Sequence, residues 1–224
     1  MMITIADVLD APEVEAAVEA LEAATFVDGA VTAGAGARAV KSNLQGRSDA
    51  HAVKAVTEKV RRTLLANSLF CAAALPVHMG RMLVSRYEKG MHYGWHTDEA
   101  FIDGIRTDLS FTLFLSDLTS YDGGALELAN SAGTDSIRLP AGHVVVYASG
   151  DTHQVTEVTR GQRLAVVGWL QSRIRSSELR ELQFDLAVAQ ADVQDLKPET
   201  ALAIGGVRQR LLRMWSDVNV QAPD

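Results

Sequence analysis

The chain has 224 residues, 47% hydrophobic and 22% charged, with 21 Lys and Arg against 28 Asp and Glu and a formal charge of −7, which suits a globular protein with one good core, or one domain and an appendage. A single cysteine, Cys71, excludes an intrachain disulfide, and the lack of a dense basic block argues against nucleic acid as a partner. The acidic start (Asp7, Asp10, Glu13, Glu15) lacks a signal-peptide layout and apolar stretches such as 164–170 are far short of a bilayer span, so the expectation is no membrane partner and a cytoplasmic localisation.

Asp10 followed by Pro12 reads as a capped helix start. Val14, Val18 and Leu21 give it one apolar stripe, ending near Thr25. A loop rich in Gly and Ala follows at 29–36, then a helix from about 48 to 66 with Val53, Val56, Val60 and Leu64 on one side. Cys71 lies in the apolar run 69–75 and is expected to be a buried, inert thiol. After Pro76 the texture changes to short apolar and β-branched runs, which predict strands near 80–87, 109–115, 124–128, 135–138, 143–147, 154–158 and 163–171. Turns are expected at 88–90, 121–124, 139–142 and 159–161. Many short, evenly punctuated strands predict a sandwich or jelly roll. From Ser176 the pattern is helical again, with one stripe of Leu179, Leu182, Leu186, Ala189 and Val193 ended by Pro198, and another of Val207, Leu211 and Met214. The expected organisation is mainly β with flanking helices. A domain at 1–175 has a helical part at 1–75 and a jelly-roll core at 76–175, and a C-terminal helical appendage spans 176–224.

The chemistry is expected from His96, Asp98, His153 and Arg163. A bare His-x-Asp carries little weight, because six histidines and 28 acids in 224 residues make one accidental pair unsurprising. A histidine considered alone is more often a surface or hydrogen-bonded core residue. Context gives the pair its meaning. Residues two apart on an extended segment point the same way, so His96 and Asp98 would present an imidazole nitrogen and a carboxylate oxygen to one ion. His153, after a turn at 148–151, would add a second imidazole. Two histidines and one carboxylate leave three coordination positions open, as in non-haem iron(II) oxygenases. Arg163 follows His153 by ten residues across a turn at 160–161, and in a hairpin that spacing returns the chain beside the strand it left. Its planar fork suits a carboxylate. Arg163, Ala165, Val167 and Trp169 share one face of a strand whose other face is Leu164, Val166, Gly168 and Leu170. A strand apolar on both faces is central, so a charge on it asks for a partner. 2-Oxoglutarate has a keto-acid end for the metal and a distal carboxylate for such an arginine. The rivals are a zinc or manganese cupin-type enzyme and a non-catalytic metal-binding or iron-sensing jelly-roll module, and neither needs Arg163. His78, His92 and His143 read as structural or solvent-facing, and Trp95 and Trp169 as core or pocket wall.

Taken in order, Arg86-Tyr87-Glu88-Lys89-Gly90-Met91, Tyr93-Gly94-Trp95-His96-Thr97-Asp98, Asp108-Leu109-Ser110, Tyr121-Asp122-Gly123-Gly124-Ala125-Leu126, His153-Gln154-Val155 and Gly161-Gln162-Arg163 carry a resemblance over 77–171. The chain resembles the bacterial PKHD-type hydroxylases, iron(II)- and 2-oxoglutarate-dependent dioxygenases related to prolyl 4-hydroxylases. The segment 40–45 and the tail helices extend the likeness to nearly the whole chain. The departure is Gly-Gly-Ala-Leu at 123–126, where the wider superfamily often has Gly-Gly-Glu-Leu. The resemblance implies a double-stranded β-helix (cupin-like) core, with His96, Asp98 and His153 binding Fe(2+) and Arg163 binding 2-oxoglutarate. It also implies Tyr87 helping to hold that co-substrate, and the use of O2 and L-ascorbate. The implied reaction hydroxylates an unactivated C–H bond and releases succinate and CO2. The substrate is left open, as peptidyl or small-molecule and with a link to iron acquisition, and Lys41 and Asn43 would line its entrance. The tail helices would cap the barrel or mediate a homo-oligomer.

Overall fold

The computed structural model describes residues 2–32 and 34–217. Strand β1 (Ile3–Ile5) leads to α1 (Ala11–Glu22), started by a capping box in which Glu13 N–H donates to Asp10 Oδ1 at 2.9 Å and Asp10 N–H to Glu13 Oε2 at 3.1 Å. Next come β2 (Phe26–Asp28), a 3-10 turn at Gly29–Thr32, α2 (Ala35–Arg38), β3 (Lys41–Ser42) and β4 (Leu44–Gly46). Ala33, in the expected 29–36 loop, lies outside the described residues. Helix α3 (His51–Ala66) buries Val53, Val56, Val60 and Leu64, the stripe read from the sequence. Asn67 then caps a further helix, α4 (Ser68–Ala74), by accepting from Phe70 N–H at 2.9 Å. Cys71 is only part-buried, its thiol lying 3.2 Å from the Leu65 carbonyl.

The remaining strands are β5 (Pro76–Glu88), β6 (His92–His96), β7 (Phe101–Ile102), β8 (Ile105–Arg106), β9 (Leu109–Phe114), β10 (Tyr121–Gly123), β11 (Leu126–Asn130), β12 (Gly133–Ile137), β13 (Val144–Ala148), β14 (His153–Val155) and β15 (Val158–Ser172). Two main antiparallel sheets form, beside a two-stranded β7-β8 hairpin. The larger runs β1-β13-β9-β15-β5-β4-β2, with β10 also on β15, and the smaller β12-β11-β14-β6-β3. This is the expected jelly roll. One face of the large sheet packs under α1 and α3: Leu109, Leu113, Leu164, Val166 and Leu170 join Val14, Leu21, Val53 and Val60 in one buried cluster. Each such aliphatic side chain contributes about 1.5–3 kcal/mol on full burial. Phe114, Leu126, Leu128, Val145 and Tyr147 close one end of the space between the sheets, and the other end stays open as the cavity that holds the site.

Three expectations need correction. The segment 1–75 is not simply helical, since β1, β2 and β4 extend the large sheet and β3 the small one. Strands of two or three residues carry too few alternations to register as a period. The expected turns at 121–124 and 159–161 are largely strand, because β10 pairs with the start of β15 through Tyr121↔Gly161. The hairpin linking His153 to Arg163 is also absent: β14 pairs with β6 and β11, whereas β15 pairs with β5, β9 and β10. The ten-residue interval carries the chain from one sheet to the other, so the two residues face each other across the barrel rather than side by side.

Helices α5 (Ser177–Val193) and α6 (Pro198–Trp215) follow, and residues 218–224 of the expected appendage lie outside the described residues. Pro198 opens α6 instead of ending α5. The face α5 buries is polar. Arg180 donates to the carbonyls of Ile174 at 2.7 Å and Arg175 at 2.8 Å, and Gln183 to that of Arg208 at 3.1 Å. With those anchors turned inward, Leu182 and Ala189 of the expected stripe face solvent, as do Val207 and Met214 on α6.

Candidate active site

His96 ends β6 and His153 begins β14, and the two are register partners on adjacent strands. Asp98 lies two residues beyond β6, held by its N–H on the Ser149 carbonyl at 3.2 Å. Pairing and loop together bring three donor atoms, from His96, Asp98 and His153, within 4.8 Å of one another. His96 Nε2 lies 3.9 Å from Asp98 Oδ1, and His153 Nε2 lies 3.9 Å from Asp98 Oδ2. Each imidazole is oriented by its other nitrogen: His96 Nδ1 stands 2.8 Å from the Gly94 carbonyl and His153 Nδ1 2.8 Å from that of Asp151. A carbonyl can only accept, so both Nδ1 atoms carry the proton and both Nε2 atoms offer a lone pair to a cation. Burial, and then the neighbouring His153, pulls the His96 pKa down to about 4. His96 is therefore neutral at pH 7, the form in which an imidazole can bind a metal.

Several supports escaped the sequence reading. Ser110 donates to Asp98 Oδ2 at 2.6 Å and meets Ser149 Oγ at 2.8 Å. Both serines are buried. Tyr93 stacks on His96 with ring centres 3.6 Å apart, and Tyr147 meets His153 edge-on at 5.1 Å. The register across the large sheet explains the convergence. Tyr147, Ser110 and Trp169 form one cross-strand row on β13, β9 and β15, so all three side chains stand on the cavity face. Ser110 belonged to a motif read from the sequence, but only strand pairing tells which side of the sheet it faces.

Arg163 lines the same cavity, 1% exposed. Its guanidinium lies 5.0 Å from the Phe114 ring centre and 5.4 Å from that of Tyr87, its partner across β15 and β5. Its Nε and Nη2 are buried with no hydrogen-bond partner among the described residues. A buried cation with unused donors is costly until an anion arrives. A dicarboxylate such as 2-oxoglutarate fits this arrangement, one end on Arg163 and the other toward the His-Asp-His donors. Tyr87 is buried, and burial pushes its hydroxyl pKa up. Asn43 is buried as well and donates to Ser85 Oγ at 2.7 Å. Lys41 lines the mouth near Tyr93, and burial draws its pKa down to about 8. Trp169 is pocket wall, with its indole N–H unpartnered among the described residues, whereas Trp95 is 44% exposed. His143 stands 3.5 Å from Asp7, and His92 is exposed, both away from the triad.

Fold and site together define a 2-oxoglutarate- and iron(II)-dependent oxygenase, and the 2OG-Fe(II) oxygenase superfamily profile matches residues 82–171. A PKHD-type hydroxylase of Maricaulis maris is 47% identical over 194 residues, covering 86% of this chain and 88% of that one. The chain belongs to the PKHD-type hydroxylases. Among solved structures, a prolyl hydroxylase from Trichoplax adhaerens in complex with a hypoxia inducible factor peptide fragment superimposes with a TM-score of 0.60 at 15% identity, over 83% of this chain and 86% of that one. HygX from Streptomyces hygroscopicus, with nickel and 2-oxoglutarate bound, gives 0.56 at 14% identity over 77% and 84%. Both share the fold. No helix among the described residues is long and apolar enough to cross a membrane.

Proposed function

We propose that His96, Asp98 and His153 hold iron(II) and that Arg163, with Tyr87 beside it, holds 2-oxoglutarate, for hydroxylation of an unactivated C–H bond in a peptidyl or small-molecule substrate. The observation that carries this reading is Arg163: a buried guanidinium with two unpaired nitrogens, in the same cavity as the three converging metal donors. When bound, iron and 2-oxoglutarate with O2 supply the oxidation, with succinate and CO2 as co-products. The chain's own residues orient and exclude. The Gly94 and Asp151 carbonyls fix the imidazole tautomers, Ser110 fixes the carboxylate, and Phe114 and Tyr87 keep water from the Arg163 end. L-Ascorbate as an activator, a cytoplasmic location, a role linked to iron acquisition and 176–224 as a separate appendage belong to the same reading. The exposed Leu182, Leu202 and Met214 on the C-terminal helix pair support a homo-oligomeric contact, checked by light scattering.

The test is anaerobic reconstitution with Fe(II) and 2-oxoglutarate, followed by succinate formation in air. His96→Ala should abolish succinate, and Arg163→Met should raise the 2-oxoglutarate requirement by about two orders of magnitude, the loss expected for a charge-assisted bidentate pair. Succinate formation unchanged in His96→Ala would defeat the reading.

A further inference from the structure

We infer that the primary substrate is acidic, and that Lys41 binds its carboxylate-class oxyanion beside the metal triad; this rests on the oxygenase reading above. Lys41 lies on β3, paired directly with Tyr93 of β6, so its backbone is fixed to the strand that carries His96. Its ammonium stands 4.9 Å from the Tyr93 ring centre, and that ring stacks on His96 at 3.6 Å. One aromatic layer therefore separates the cation from a metal donor. Its only hydrogen bond among the described residues is a long one, 3.3 Å to Thr32 Oγ1. That hydroxyl already serves the Gly29 carbonyl at 3.0 Å and Gln45 Oε1 at 2.8 Å.

The other charges of the cavity have their tasks. Arg163 serves the co-substrate. Arg81 lines the same cavity but pairs with Asp103 at 3.4 Å. Asp98 is committed to the metal, and Glu99, at the rim, turns an oxygen toward Gly34 rather than into ion-pair contact with Lys41. No described carboxylate lies within 4.0 Å of Lys41 Nζ. A half-buried ammonium held only by a shared hydroxyl and a ring face is undercompensated, and an incoming oxyanion would complete it. Global charge does not explain its presence, because the chain is net acidic at −7. A lysine kept in such a cavity selects by charge: it favours an acid over the matching neutral amide, whose carbonyl accepts a weaker bond.

The experiment uses the full chain loaded with Mn(II) and saturated with N-oxalylglycine, which fills the 2-oxoglutarate position without turning over. A panel of N-acetyl amino acids, each beside its carboxamide, is titrated by calorimetry. The expected result is that the tightest-binding acids exceed their carboxamides by about tenfold, that Lys41→Met removes the preference, and that Lys41→Arg keeps it. Equal affinities for acids and carboxamides, no binding by either set, or a preference that survives Lys41→Met would overturn the inference. The control separates the two ideas. If N-oxalylglycine itself fails to bind the Mn(II) protein, the oxygenase reading falls; if it binds and no acid preference appears, only the assignment of Lys41 falls.

Discussion

Asp98 accepts one short bond, from Ser110, and Ser110 is itself fixed by Ser149. Under the proposed reading Asp98 presents one oxygen to a metal, and it gains from having the other tied down, because rotation about its last bond is then lost before an ion arrives. Ser110→Ala should therefore weaken Mn(II) binding by about 10- to 100-fold, Ser149→Ala by less, and Ser110→Thr should keep most of the affinity. Metal titration checks this, with circular dichroism confirming an unchanged fold. His96 makes a second prediction at the same scale. Its folded pKa, about 4, is below its unfolded value of about 6.5. As pH falls, the unfolded chain takes up the proton first, so metal-free protein loses stability between about pH 6.5 and 4 and gains nothing from this group above that window. Urea unfolding at pH 7 and pH 5 reads the loss, and His96→Gln should make it smaller. If the variant and the parent lose the same amount, His96 is not the group responsible.

Strand β15 shows how far the sequence was legible at the level of an element. Its two-faced pattern, with Arg163, Val167 and Trp169 on one side and Leu164, Val166 and Leu170 on the other, is reproduced as cavity face and core face. The order of motifs grouped His96, Asp98, His153 and Arg163, and one cavity is lined by all four. What could not be read was which strands lie beside which, since register and sheet membership depend on contacts between residues far apart in the chain. That is why the sequence spacing predicts a hairpin where the chain crosses between sheets, and why it assigns no role to Ser110, Ser149, Tyr93 and Tyr147: each gains its role from a neighbour on another strand or loop. The link between β10 and β11 gives a prediction of the same kind. Gly124 has φ +60°, and a Cβ there would lie 3.0 Å from Arg163 Cδ and 2.9 Å from Val158 Cγ2. Both the backbone conformation and the contact disfavour a side chain. Gly124→Ala should displace the guanidinium and raise the 2-oxoglutarate requirement by about tenfold, while Mn(II) affinity stays near that of the parent protein. Equal losses of both would point instead to general disruption of the barrel.

Across the whole molecule, the C-terminal helix pair is joined to the barrel through Arg106. Its guanidinium grips Asp108 at 2.7 and 2.9 Å, reaches the Ser172 carbonyl at 3.2 Å, and stands 2.7 Å from Asp217, just beyond α6. Asp108 also accepts from Ser172 N–H at 2.8 Å, and its carbonyl takes the Ser149 N–H at 3.3 Å. Polar contacts thus run without a break from the end of α6 to the loop that positions Asp98. Burial decides which link matters. The Asp108 side chain is only 5% exposed, so removing its cation leaves a nearly buried carboxylate with backbone help alone; removing Asp217, 31% exposed, leaves Arg106 still held by Asp108 and the Ser172 carbonyl. Arg106→Ala should cost about 3 kcal/mol, the low end for breaking a buried pair, and lower the Tm by roughly 6–12 °C for a chain of this size. Asp217→Ala should cost about 1 kcal/mol or less, as exposed pairs do. Calorimetric melting of the two variants beside the parent protein settles the ordering. If the Asp217 variant were the less stable, the helix pair would be held chiefly by its outer ion pair, and the barrel side of the junction would owe little to Arg106.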